Sequence, residues 1–166
     1  MYNFTAQHLH IMEAIDALNQ VATFHRTFKH PIEQAPLIPA EARCRLRVAL
    51  LEEELREFRE AVERGDLIGI ADALCDLQYV LSGAVLEFGL GAKFKALFDE
   101  VQRSNMSKAC KTEEEAKATV KHYEDKGTPC FFEKEGDLYL VFREGDHKTL
   151  KSVNYSPADL KGILKS

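Results

Sequence analysis

Residues 40–89 carry two helical apolar periods parted by a single Gly65-Asp66 step, and this constrains the fold more than anything else in the chain. The first helix starts at Pro39 or Ala40 and ends at Gly65, a residue suited to the position after a helix C-terminus. Cys44, Val48, Leu51, Leu55, Phe58 and Val62 fall three and four apart and form one apolar stripe. Glu53, Glu54 and Glu57 lie along the edge of that stripe. Asp66 is the natural N-cap of the second helix, and Gly89 closes it. Ile70, Leu74, Leu77, Leu81 and Phe88 make its stripe. Asp72 and Asp76 share a different face with Gly69, Ala73, Val80 and Gly83, small enough in part to let another helix come close. Two acids on so apolar a helix are costly unless paired or metal-bound.

The flanking segments extend a mainly α pattern. Residues 4–28 repeat apolar positions at helical spacing (Leu9, Met12, Ile15, Leu18, Val21, then Phe24 or Phe28), with Thr5 as N-cap. Pro31, Pro36 and Pro39 mark a long irregular connection that is expected to drape over a site or a partner. After Gly91 a further helix brings Phe94, Leu97, Phe98 and Val101 inward and ends in the polar run Arg103 to Lys108. Thr112 and Glu115 read as a capping box for a short helix to about Lys126. Apolar runs then flank the turn Glu135-Gly136-Asp137, a hairpin signal, with a third strand expected around Leu150. Ser156-Pro157 caps a last short helix. The expected organisation is a helical bundle over 1–110 with a small α/β extension (hairpin plus helix) over 111–166.

Composition enters mainly by exclusion. With 166 residues, 45% hydrophobic and 30% charged, the chain is an ordinary globular protein, not a disordered one. A net charge of −5 without a basic block excludes a large nucleic-acid footprint, while a bound metal still permits a small phosphorylated ligand. The cysteines Cys44, Cys75, Cys110 and Cys130 lack C-x-x-C spacing and read as reduced thiols of a cytoplasmic protein. Neither a leader nor an apolar run of bilayer length is read, so no membrane partner is expected.

The chemistry rests on the acids. Carboxylates three or four apart on a helix share one side, so Glu54 with Glu57, and Asp72 with Asp76, can each hold one cation. Helices packed side by side bring all four together. Oxygen ligands alone suit Mg²⁺ or Mn²⁺, and zinc is disfavoured because no His or Cys stands near at ligand spacing. The bland reading of the glutamates is a solvated edge paired with Arg56 or Arg43. For Asn105 and Lys108 it is an ordinary polar helix end. Phe24, Phe28, Phe94 and Phe98 read as core rather than as a base-stacking pocket.

The acids stand in a recognisable order. Glu53-Glu54-Leu55-Arg56-Glu57 matches E-E-x-x-E, and Asp76 matches the last position of a following E-x-x-D, with Ala73 in its first place and Asp72 one residue earlier. With the downstream Ser104-Asn105-Met106-Ser107-Lys108, the chain over residues 15–110 resembles the all-α nucleoside triphosphate pyrophosphohydrolases. The resemblance is to their MazG-like, phosphoribosyl-ATP pyrophosphohydrolase-like branch. It implies hydrolysis of a nucleoside triphosphate (a dNTP such as dUTP among the candidates) to the monophosphate and pyrophosphate, as nucleotide house-cleaning. It further implies Glu54, Glu57, Asp72 and Asp76 as metal ligands, Glu53 as the group that orients or deprotonates water, and Asn105 and Lys108 as phosphate contacts. A homodimer or tetramer is the expected assembly. The rearranged second motif keeps a second class open, a nucleotide-sensing or protein-interaction module. A di-iron bundle ranks last, since residues 44–88 contain no histidine.

Overall fold

The computed structural model describes residues 13–165. They fold into two compact units, divided between Ala92 and Lys93. The division falls earlier than the boundary at 110, because the helix that ends in Ser104–Lys108 bonds to the chain that follows it. The described residues hold six helices and one two-stranded sheet, and 58% of the structure is helical. Mainly α is the observed class.

The first unit comprises α1 (Ala17–Phe28), α2 (Glu41–Arg64) and α3 (Leu67–Glu87). Thr5, Leu9 and Met12, expected in the first helix, lie outside the described residues; within them the helix begins only at Ala17. Gly65 takes φ +64° and returns its amide to Ala61 and Val62, so α2 ends where expected. The Asp66 carboxylate then accepts from Gly69 N at 3.0 Å, capping α3. Residues 29–40 bond back onto the end of α3: Glu33 N donates to Leu86 O and Leu37 N to Phe88 O. Those bonds satisfy carbonyls that a helix end leaves open. Gly89 has φ +67°, and a Cβ there would overlap the Ala35 carbonyl oxygen, so the loop closes only over glycine.

One ionic network fastens the three helices. Glu87 is 1% exposed and accepts from Arg43, through Nε at 3.1 Å and through Nη2, and from Arg47 Nη2. Arg47 also meets His25 Nε2 at 3.2 Å, and His25 Nδ1 donates to Pro31 O at 2.8 Å. Burial lowers the His25 pKa against that backbone bond, and neighbouring Arg47 lowers it further. Arg47 can only donate, so Nε2 accepts and the ring proton sits on Nδ1, against the Pro31 carbonyl. Arg43 is committed here, not to the glutamates of α2; Arg56 pairs instead with Glu60 at 2.9 Å and weakly with Glu57 at 3.7 Å.

Two expectations about apolar surface are corrected. On α2 the residues sealed by the fold are Arg47 and Ala61, while Val48, Leu55 and Val62 of the apolar stripe stay about half exposed. Phe24, Phe28 and Phe98 are likewise exposed rather than core, as is Val101. For α2 the reason is geometric: α3 meets it along a small-residue face, so the large residues are left without cover among the described residues. The second correction concerns α3 itself, which at 21 residues and mean hydropathy 1.3 has the length and composition of a membrane span. Asp72, Asp76 and the ion-paired Glu87 all lie on it, and such charges are rare on a lipid-facing helix.

The second unit contains α4 (Phe94–Met106), α5 (Glu113–Glu124), strands β1 (Cys130–Glu135) and β2 (Leu138–Arg143), and α6 (Leu160–Lys165). The strands pair antiparallel across the Gly136-Asp137 turn, with Phe131 opposite Phe142. Cys110, Ala116, Cys130, Val141 and Leu150 form its core. No third strand forms around Leu150; a single bridge from Thr149 to Phe142 stands there instead. Thr112 caps α5 by accepting from Glu115 N, but the Glu115 carboxylate reaches Lys111 N and Ser152 rather than closing a reciprocal box. The last helix is capped by Asp159, which accepts from Gly162 N, not by Ser156.

Removing the Glu87 carboxylate strands the buried Arg47 guanidinium, so Glu87→Ala is expected to cost about 3–5 kcal/mol in urea unfolding at neutral pH. Burial opposes the Glu87 charge, but the bonds from Arg47 and Arg43 prevail and lower its pKa. A depressed carboxylate contributes stability above its unfolded pKa and loses it as pH falls through the folded one. The gap between wild type and variant is therefore expected to close only below the ordinary glutamate range.

Candidate functional site

The seam between α2 and α3 is read from three fixed points. Arg43 meets Glu87; a Cβ on Gly83 would lie 2.6 Å from an Arg47 nitrogen; a Cβ on Gly69 would lie 3.2 Å from that of Ala61. Each step along α2 is thus matched by an equal step back along α3. Between the outer points, Glu54 falls opposite Asp76. Small residues permit this approach: Ala61 and Ala73 are buried within the seam.

Electrostatics report the same neighbourhood. Glu54 is half-buried, and its pKa is raised, by partial burial first and then by Asp76, Glu57, Glu53 and Asp72 in falling order. Four carboxylates crowd a fifth, and among the described residues no cation pairs with Glu54 or Asp76. Asp76 acts on it most strongly and Asp72 least. Asp72 lies nearer the Gly65 end, where it lines a cleft of about 240 Å³ with Arg56, Glu57, Glu60 and Arg64. Glu53, Glu57, Asp72 and Asp76 are exposed. An all-oxygen donor set with unrelieved repulsion fits a hard divalent cation. The side chains are not drawn to one point: among the described residues, no three of His, Cys, Asp or Glu stand within common ligating reach. Asn105, exposed, and Lys108, half-buried, belong to the second unit at the end of α4.

Beside the acids the first unit has a feature that periodicity did not reveal. A cavity of about 220 Å³ lies between the three helices, lined by Phe24, His25, His30, Arg43, Arg47 and Tyr79 among others. Leu50 and Val80 also line it, one helical turn from Glu54 and Asp76 respectively. Phe24 stacks on His30 at 5.8 Å and meets Tyr79 edge-on at 5.6 Å. Two arginines share one carboxylate here, leaving a net positive charge, and Arg47 Nε is buried with no hydrogen-bond partner among the described residues. The arginines four apart and the lone Glu87 were the available signal, but nothing in sequence shows that they meet.

The site and fold define a mainly α protein with an acidic helix pair beside an aromatic, cationic cavity. A family profile described as phosphoribosyl-ATP pyrophosphohydrolase matches residues 21–105. The chain belongs to that family, within the all-α NTP pyrophosphohydrolase superfamily, and is a hydrolase of the pyrophosphohydrolase kind acting on a nucleotide-like substrate. Among curated proteins, none matches the chain. The matched span covers α1 to α4 except for the last residue of α4 and the first turn of α1, and it leaves the hairpin, α5 and α6 outside.

A raised carboxylate pKa in the folded state means that ionisation opposes folding, an effect present above the folded pKa and absent below the unfolded one. Glu54→Gln is therefore expected to stabilise the metal-free protein by about 0.5 kcal/mol at neutral pH. The gain should vanish in acid, as read by thermal melts in chelator across pH.

Proposed function

We propose that the protein hydrolyses a nucleoside triphosphate, a dNTP such as dUTP among the candidates, to the monophosphate and pyrophosphate, and does so with Mg²⁺ or Mn²⁺. One observation carries the reading: Glu54 faces Asp76 with no compensating cation among the described residues, one turn from a cavity suited to a planar, polar ligand. Glu54, Glu57, Asp72 and Asp76 would hold the metal. A divalent ion bound there supplies polarisation of phosphoryl oxygens and a more acidic water. Glu53 orients the attacking water and accepts its proton. Phe24 and Tyr79 offer faces for a base, while Arg43 and Arg47 offer donors at its edge. For Asn105 and Lys108, in the second unit, the reading keeps only the phosphate-contact role that the family resemblance implies.

The apolar residues left open on α2 and α3, among them Val48, Leu55, Val62, Ile68 and Leu74, support a homodimer or tetramer that covers them. Four free thiols, two of them buried, suit a reducing compartment such as the cytoplasm. Removal of unwanted nucleotides from the cellular pool is the role we assign. The separated carboxylates favour one alternative, a module that binds nucleotide without turnover.

Pyrophosphate release from a dNTP and NTP panel with Mg²⁺ or Mn²⁺ separates the two. Turnover is expected, with Asp76→Ala lower by about a hundredfold or more and Glu53→Gln by about 10²–10⁴. Binding of nucleotide with no release above the Asp76→Ala background would establish the module instead.

A further inference from the structure

We infer that the cleft bordered by Arg56 and Arg64 holds the terminal phosphates of the substrate and, after cleavage, the pyrophosphate released. The inference rests on the reading of Glu57 and Asp72 as cation ligands, and it names the part of the substrate that lies away from the base. Every residue it uses belongs to the first unit. Three places follow one another along the α2–α3 seam. Leu50 of α2 and Val80 of α3 border the aromatic cavity. Glu54 and Asp76 come next. Beyond them Arg56, Glu57, Glu60 and Arg64 of α2 and Asp72 of α3 line a cleft of about 240 Å³, and Ala61 and Gly69 complete its lining without side-chain bulk. At a rise of about 1.5 Å per residue, Leu50 and Glu60 stand about 15 Å apart along the helix, with the acids between them. Aromatic faces at one end and guanidiniums at the other fix the direction of a bound nucleotide. The base enters the cavity, and the phosphate chain runs past the acids into the cleft.

The two arginines hold partners that they can exchange at little cost. Arg56 pairs with Glu60 at 2.9 Å and reaches Glu57 at 3.7 Å, while Arg64 reaches the other Glu60 oxygen at 3.8 Å. All four side chains are about half exposed, and ion pairs of that kind contribute little in water. A phosphate group offers the guanidinium fork two oxygens at once, and its bonds are charge-assisted. Net charge sets the condition for binding. Two arginines against Glu57, Glu60 and Asp72 leave the cleft with one surplus negative charge, which repels an anion. With a divalent cation on Glu57 and Asp72 the balance reverses, and Glu60 is the acid left to two guanidiniums. Anion binding in the cleft is therefore conditional on the cation. Cleavage between the α and β phosphates leaves the monophosphate toward the cavity and the pyrophosphate among the arginines.

The test is calorimetric titration of the full-length protein with inorganic pyrophosphate, once in Mg²⁺ and once in chelator. Arg56→Met and Arg64→Met are compared with Arg59→Met, which removes the same charge from an exposed position of α2 outside the cleft. Both cleft variants are expected to melt like wild type, since each loses only surface ion pairs. Each should weaken pyrophosphate binding in Mg²⁺ by about tenfold or more, because hydrogen bonds to charged groups are worth that much. Arg64→Lys should recover part of the affinity, keeping the charge but not the fork. Arg59→Met should match wild type, and wild-type binding should be lost in chelator. Wild-type affinity in either folded cleft variant overturns the inference. So does an equal loss in Arg59→Met, or binding as tight in chelator as in Mg²⁺. If wild type binds pyrophosphate through these arginines yet releases none from any nucleotide, the hydrolase reading fails while this site stands.

Discussion

A carboxylate sealed from water between two guanidiniums sets how the helices of the first unit lie. Glu87 joins α3 to both Arg43 and Arg47 of α2, and Arg47 passes the contact on to His25 of α1. Such a pair adds little net stability, because desolvation offsets most of the Coulomb gain. What it supplies here is registry: a slip of one turn would leave a charge buried and alone. With that end fixed and Gly69 closed against Ala61 at the other, Glu54 is brought opposite Asp76. The repulsion at the site is held in place by ion pairs elsewhere.

The same helices carry two further burdens that folding alone does not need. Among the described residues, carboxylates crowd Glu54 with no cation paired to it, and an apolar stripe on α2 stays about half exposed. The proposed cation would relieve the first, and the proposed assembly would cover the second. Residues that break a local rule without compensation mark function more often than error. The unpartnered Arg47 Nε beside the cavity belongs to the same class.

The second unit works on a different plan. Its core is small, built on Cys110, Ala116, Cys130, Val141 and Leu150, and much of its order comes from residues 150–157, a strap hydrogen-bonded to α4 and α5. That explains why α4 groups with the chain after it, although its apolar spacing resembles that of the helices before it. Glu115 shows the local economy: one carboxylate ties the start of its own helix to the strap.

Local chemistry was readable without coordinates. Gly65 ends α2, Asp66 caps α3, Thr112 caps α5, and Gly136 turns the hairpin, since each depends only on a few neighbouring residues. The order of Glu53, Glu54, Glu57, Asp72 and Asp76 was legible for the same reason, as were the two helices that bear them. Which face of each helix turns inward was not. The apolar stripe of α2 looked like the buried one, yet the seam runs through Arg47 and Ala61. Periodicity records where apolar side chains lie, not which surface meets which. Only the tertiary structure decided that Glu87 takes Arg43 and Arg47, and that Phe24, His30 and Tyr79 border a cavity. Only there do Arg56 and Arg64 share a cleft with Asp72. Those pairings join residues far apart in the chain, and no local preference encodes them.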